Sequence, residues 1–193
     1  MSSFRIYLAG PDLFCEDAAE RYALLQALCA ERGLVGLSPA DGSPEVMAAM
    51  LHGHLNRQQL GGLIAEHNMT LLASSDGVLA NFMPFRGSEP DSGTVWEAAH
   101  ANAAKLPVVG YSADPQPLAE RVRAECGACA VEDPVYGSIE RDHRYGMMIE
   151  DYGLPLNLMI SSRITVFADP RDALDALREA LDQRERSQRQ RVG

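Results

Sequence analysis

The sequence predicts an α/β protein: a parallel sheet with helices on both faces, in three α/β/α layers. Short apolar runs alternate along the chain with segments of helical period, and enough residues separate successive runs for crossover helices. With 193 residues, 46% apolar and 23% charged, the chain has the size and composition for one domain over 1–193 with a core of its own.

Taken in order, residues 4–9 (FRIYLA) read as a short buried strand ended by Gly10-Pro11. Residues 17–32 read as an amphipathic helix with Tyr22, Leu25, Leu28 and Cys29 at helical spacing, stopped by Gly33. A second strand at 34–37 is followed by turn chemistry over 38–44. The stretch 47–72 is helical in pattern, with breaks expected at Gly53 and at Gly61-Gly62. Residues 77–81 form a third strand, and 83–90, with two prolines and a glycine, a loop. An alanine-rich helix follows Asp91, and 106–111 form a fourth strand with Pro107 near its start, where a strand tolerates it. Between 112 and 150, Pro115, Pro117, Pro134 and several glycines predict an irregular excursion with one helix near 118–126. A last strand at 164–168 and a charged helix from Pro170 to about Arg186 complete the domain, with a frayed tail at 187–193.

Composition narrows the partners. A formal net charge of −10 argues against a nucleic acid polymer or an anionic membrane, because both are bound by clustered Lys and Arg, but leaves a small neutral ligand untouched. The N-terminus MSSFRIYLAGPDLF is neither a secretory signal nor long enough to span a bilayer, which predicts a cytoplasmic protein. Cys15, Cys29, Cys126 and Cys129 are expected as reduced thiols, and the Cys126/Cys129 pair lacks a second Cys/His pair at zinc spacing. His52-x-His54 reads as a loop or helix surface, and His67, His100 and His143 are scattered, so no metal is expected. No G-x-G-x-x-G follows the first strand and no G-x-x-x-x-G-K-[ST] occurs, so no dinucleotide or triphosphate cradle is expected either.

The stretch DSGTVWEAAHA at 91–101 asks for chemistry. Asp91 or Ser92 can cap the helix, and Gly93 lets something bound approach the first turn closely. At 100° per residue Glu97 lies about 40° round from Gly93, so its carboxylate flanks a glycine-lined gap near the positive end of the helix dipole, which favours the ionised form. That arrangement suits a carboxylate nucleophile, although a second-turn glutamate is usually a solvated surface residue. Tyr7, Gly10, Asn81 and the mouth of this helix all fall at the carboxyl ends of strands, where such sheets bind ligands.

Four segments in order, IYLAGPDLF at 6–14, SDGVLAN at 75–81, DSGTVWEAAHA at 91–101 and DYGLPLNLM at 151–159, together resemble the nucleoside 2-deoxyribosyltransferase family. Residues 42–57 and 112–150 look like additions to its shortest members. The resemblance implies a flavodoxin-like (Rossmann-like) domain that moves a 2-deoxyribosyl group from one nucleobase to another without a cofactor. By position Glu97 would attack the anomeric carbon, Tyr7 would orient it, and Asp91 would bind the sugar or base edge. Gly10, Phe14, Asn68, Asp76, Asn81 and Gly93 would line the substrate site, and Asn157 and Met159 would reach into a neighbouring subunit's pocket, requiring a homo-oligomer. One departure matters: a family aspartate that handles base protonation aligns with Asn68, so either an amide serves there or Asp76 or Asp91 takes the proton role. Two alternatives stand beside this: a hydrolase of deoxynucleosides or their 5'-monophosphates, and a non-catalytic nucleoside-binding module. An anionic Asp91 disfavours a 5'-phosphate, because like charges repel.

Overall fold

A computed structural model describes residues 3–42, 44–53, 55–114 and 116–192. His54 and Pro115 lie outside these residues. The chain runs β1 (Phe4–Ala9), α1 (Ala18–Glu31), β2 (Leu34–Leu37), α2 (Pro44–His52), α3 (Arg57–Ala73), β3 (Gly77–Asn81), α4 (Ser92–Ala103), β4 (Val108–Tyr111), α5 (Leu118–Cys126), β5 (Ala128–Asp133), β6 (Gly137–Asp142), α6 (Leu158–Ser161), β7 (Val166–Phe167) and α7 (Pro170–Val192). Short 3-10 turns at Pro11–Phe14 and Pro39–Asp41 follow β1 and β2.

Five strands form one sheet in the order β2-β1-β3-β4-β7, every neighbouring pair parallel. This is the flavodoxin-like order, in which the chain reverses direction across the sheet between β1 and β3 and opens a crevice at their carboxyl ends. Strand alternation divides the side chains between two cores. Ile6, Leu8, Leu79, Val109 and Tyr111 face α1 and α7, packing on Tyr22, Leu25, Leu28, Leu174 and Leu177. Tyr7, Ala9, Val78 and Ala80 face α3 and α4, packing with Leu72, Ala98, Ala101, Leu156 and Ile164. Every residue of β3 is buried, as a strand covered on both faces must be. Gly110 is obligatory here, because a Cβ on it would lie 2.6 Å from the ring of Phe82.

The structure differs from the sequence reading in five places. Gly61 and Gly62 do not break α3: a capping box between Asn56 and Gln59 starts the helix, and Leu72 buries its far end. The fourth strand begins at Val108 because Pro107 has no N–H to give to the ladder, though its carbonyl accepts from Val78 at 2.9 Å. The last strand shrinks to two residues at the sheet edge, with Thr165 and Phe167 carbonyls accepting from Gly110 and Ser112. The tail, expected to fray from residue 187, stays helical to Val192, helped by an Arg189–Glu185 ion pair one turn apart. Within the excursion, the proline- and glycine-bearing part beyond α5 holds an antiparallel hairpin, β5 against β6, paired from Ala128↔Asp142 to Asp133↔Gly137. Among the described residues no helix is long and apolar enough to cross a membrane.

Candidate active site

The site assembles where β1, β3 and α4 meet. Asp91 caps α4 through one oxygen, Oδ2, which accepts from the backbone N–H of Thr94 at 2.8 Å and from its hydroxyl at 3.0 Å. A Cβ on Gly93 would sit 3.0 Å from that same oxygen, so the bare glycine leaves room for the cap. The inner face of α4 is narrow: Thr94, Ala98 and Ala101 are buried and bring the helix close to the sheet.

On that inner face Glu97, half-buried, accepts a hydrogen bond at Oε1 from the hydroxyl of Tyr7, 2.6 Å away. Tyr7 is fully buried in β1, which fixes its ring. Burial, and then the charge of Glu97, push the Tyr7 phenol well above its ordinary range, so it remains a donor. Glu97 itself is pushed up to about 7, by burial first, with the Tyr7 bond pulling the other way and the charge of Asp91 adding to the rise. The helix dipole, expected to favour the ionised form, is outweighed by desolvation.

Gly10 and Asn81 come together beside this pair through a residue that sequence reasoning missed. Asp12 is 3% exposed; its Oδ2 accepts from Asn81 Nδ2 at 2.8 Å and its Oδ1 pairs with Arg21 at 3.4 Å. Asn81 also accepts from the backbone N–H of Met83 at 3.1 Å, so it braces the start of the loop that leads to Asp91. A Cβ on Gly10 would lie 2.6 Å from Asp12 Oδ2 and 2.9 Å from Asn81 Cβ, which gives Gly10 its role. The signal was an acid directly behind a strand-ending Gly-Pro, but nothing local shows that it is buried.

Phe14, exposed beyond Asp12, stacks on Phe85 with centroids 5.3 Å apart, and the Arg86 guanidinium lies 4.6 Å from the Phe85 centroid and 5.7 Å from that of Phe14. The 84–90 loop closes on itself through a Pro84↔Pro90 bridge and a 2.8 Å bond from Phe85 N–H to the Glu89 carbonyl. A hollow of about 420 Å3 lies behind it, walled by Phe85, Glu89, Val122, Glu125, Tyr145 and Ile149. Tyr7 and Glu97 do not line that hollow.

Asn68 sits on α3, on the same side of the sheet as Tyr7, and its side-chain oxygen is buried without a hydrogen-bond partner. Asp76 is not brought to the site. It precedes β3, so it stands at the amino edge, where its carboxylate accepts from Arg5 N–H at 2.7 Å; Asn81 is at the opposite end of that strand. Asn157 caps α6 through Met159 N–H at 3.0 Å and donates to Glu150 at 2.8 Å, while the Met159 side chain is 71% exposed. Neither residue bonds to Tyr7, Asp91 or Glu97 among the described residues.

Among the described residues no group of three or more His, Cys, Asp and Glu is placed to hold a metal ion. The four cysteines are free thiols; Cys126 ends α5 and Cys129 is exposed on β5.

The chain is similar to an uncharacterized protein of Schizosaccharomyces pombe, 31% identical over 122 residues, which make up 62% of this chain and 54% of that one. The chain thus spans about half the length of this curated relative. Among solved structures it is similar to a 2-desoxiribosyltransferase from Leishmania mexicana, 26% identical, with a TM-score of 0.66 over 91% of this chain and 97% of that one. A 2-deoxyribosyltransferase from Bacillus psychrosaccharolyticus overlaps less, at 20% identity and a TM-score of 0.44 over 56% of this chain and 72% of that one. The family model for nucleoside 2-deoxyribosyltransferase matches residues 6–159, from β1 into α6, and the chain accordingly belongs to that family.

Proposed function

We propose that this protein exchanges the nucleobase of 2'-deoxynucleosides by double displacement, through a covalent deoxyribosyl ester on Glu97. The observation that carries the reading is the 2.6 Å bond from Tyr7 to Glu97. It occupies Oε1 and ties the carboxylate to β1; Oε2 is the oxygen that attacks.

In the first half-reaction Glu97 Oε2 bonds to the anomeric carbon as the C–N bond to the base breaks; the bond's electron pair leaves on the base nitrogen, which takes a proton. Positive charge gathers on the sugar in the transition state, and a carboxylate on one face stabilises it and then traps it. In the second half-reaction a nitrogen of the incoming base displaces Glu97, loses its proton, and restores the original configuration. Asp91 would bind the sugar or base edge. Asn68 can hydrogen-bond the leaving base through its amide but has no proton to release, so Asp91 is the proton donor; Asp76 is at the wrong edge of the sheet for that role. The exposed Met159 and the neighbouring Asn157 suit a homo-oligomer in which each subunit completes the next one's site.

The deciding experiment incubates the protein with deoxyinosine and free adenine and follows the nucleosides by chromatography. Deoxyadenosine appearing with hypoxanthine supports the reading. Hypoxanthine with free deoxyribose and no new nucleoside would make the protein a hydrolase, and full exchange by Glu97→Ala would remove the ester mechanism.

A further inference from the structure

Arg121 lies on α5, in the stretch that looks like an addition to the family's shortest members, and it is 7% exposed. A buried guanidinium normally faces a carboxylate. Among the described residues this one forms no close ion pair, although its charge partly offsets the burial that raises the Glu89 carboxyl. Instead each of its three nitrogens donates to a main-chain carbonyl of a different segment: Nε to Ser88 at 3.2 Å, Nη1 to Gln116 at 2.5 Å and Nη2 to Pro155 at 2.6 Å.

Two of those segments bear site residues. Ser88 belongs to the loop that carries Phe85 and Arg86 and ends at Asp91, and Pro155 stands two residues before Asn157. The grip is reinforced nearby: Glu125, one turn along α5 from Arg121, accepts from the Ser88 hydroxyl, and Leu118 N–H donates to the Leu154 carbonyl at 2.8 Å. Phe14 holds the same loop from its other side. The planar fork of a guanidinium suits three carbonyls that diverge in this way, whereas an ammonium gathers its donors on one atom and cannot reach all three.

Resting on the base-exchange reading, we propose that Arg121 is a positioning residue that locks the 84–91 loop, which borders its own subunit's site, and the 151–157 segment, which completes a neighbouring one, into a single arrangement through their main-chain carbonyls. It touches no reacting atom. Its loss releases both segments together, weakens nucleoside binding and leaves the Tyr7–Glu97 pair in place.

The test uses full-length Arg121→Ala and Arg121→Lys, assayed by deoxyinosine–adenine exchange and by amide hydrogen exchange. For both variants KM for deoxyinosine should rise about tenfold or more while kcat stays within about threefold. Amides of 84–91 and 154–158 should exchange about tenfold faster, with those of β1 and α4 unchanged. Guanidinium chloride at about 10 mM should recover the KM of Arg121→Ala, and methylammonium at the same concentration should not. A KM left at the wild-type value with kcat falling in step with the folded fraction would mean a merely structural role. Full rescue by lysine would equally overturn the proposal. If the wild type neither exchanges bases nor hydrolyses nucleosides, the functional reading fails; joint release of the two segments in both variants then still supports the lock, and its absence refutes it.

Discussion

The hydroxyl of Tyr7 and Oε1 of Glu97 lie 2.6 Å apart although 90 residues separate them in the chain, and this bond ties the sheet to the helix that bears the nucleophile we propose. Tyr7→Phe removes it and leaves a half-buried carboxylate one partner short, a loss of about 1–3 kcal/mol in stability. It also removes the interaction that pulls the Glu97 pKa down. Exchange should slow by about ten- to a hundredfold, and the acid limb of the pH–rate profile should move to higher pH. A profile that keeps its position would detach Tyr7 from Glu97.

The pKa of Glu97 gives two predictions of opposite sense. With the folded value raised to about 7 by burial, exchange should climb with pH to a plateau above that value, because only the ionised carboxylate attacks. Stability runs the other way. Between the ordinary value of 4.5 and about 7 the folded protein holds a proton that the unfolded chain has lost, so this residue's contribution becomes less favourable as pH rises through that window. Glu97→Gln should therefore lose exchange yet gain stability at pH 8, on the order of 1–2 kcal/mol, read as a higher melting temperature. The gain should vanish near pH 4, where both states of the wild-type residue are protonated. Equal gains at the two pH values would count against a buried acid at this position.

Glycines at two places should respond with opposite sign. Gly10→Ala drives a methyl group to within 2.6 Å of Asp12 Oδ2 and 2.9 Å of Asn81 Cβ, both held in a buried pair. It should destabilise by about 1–3 kcal/mol and depress exchange by prying the pair apart. Gly61→Ala and Gly62→Ala meet open space in the interior of α3 and should each stabilise by up to about 1 kcal/mol. Thermal melts of the three variants check both signs.

Shared sites would show by complementation. If Asn157 serves a neighbouring subunit, Glu97→Ala and Asn157→Ala chains should each be impaired alone and regain activity when co-assembled from denaturant. For random dimers about a quarter of the sites combine an intact Glu97 with an intact Asn157. No recovery in a mixture that demonstrably co-assembles would place Asn157 within its own subunit's chemistry.

Much of this fold was legible because it is written in local period. β1, β3, α1 and α4 each announce themselves by runs or spacings that depend on near neighbours alone. The β5–β6 hairpin was not, since Pro134 and Gly137, which make its turn, read equally well as disorder of pattern. Asp12 escaped notice because its burial is decided by Asn81, 69 residues away. The family resemblance implies Asp76 at the site, but it precedes β3, and the ligand edge is at that strand's other end. The raised Glu97 pKa was likewise invisible: the dipole of α4 can be inferred from sequence, whereas how far the carboxylate is shielded from water depends on the packed sheet beneath it.

Ala98 and Ala101, buried under α4, work as shims. Their single methyl groups fix the gap between the sheet and Glu97, so under the proposed activity any widening for bulkier sugars should leave those two positions alone and redesign the outer rim instead.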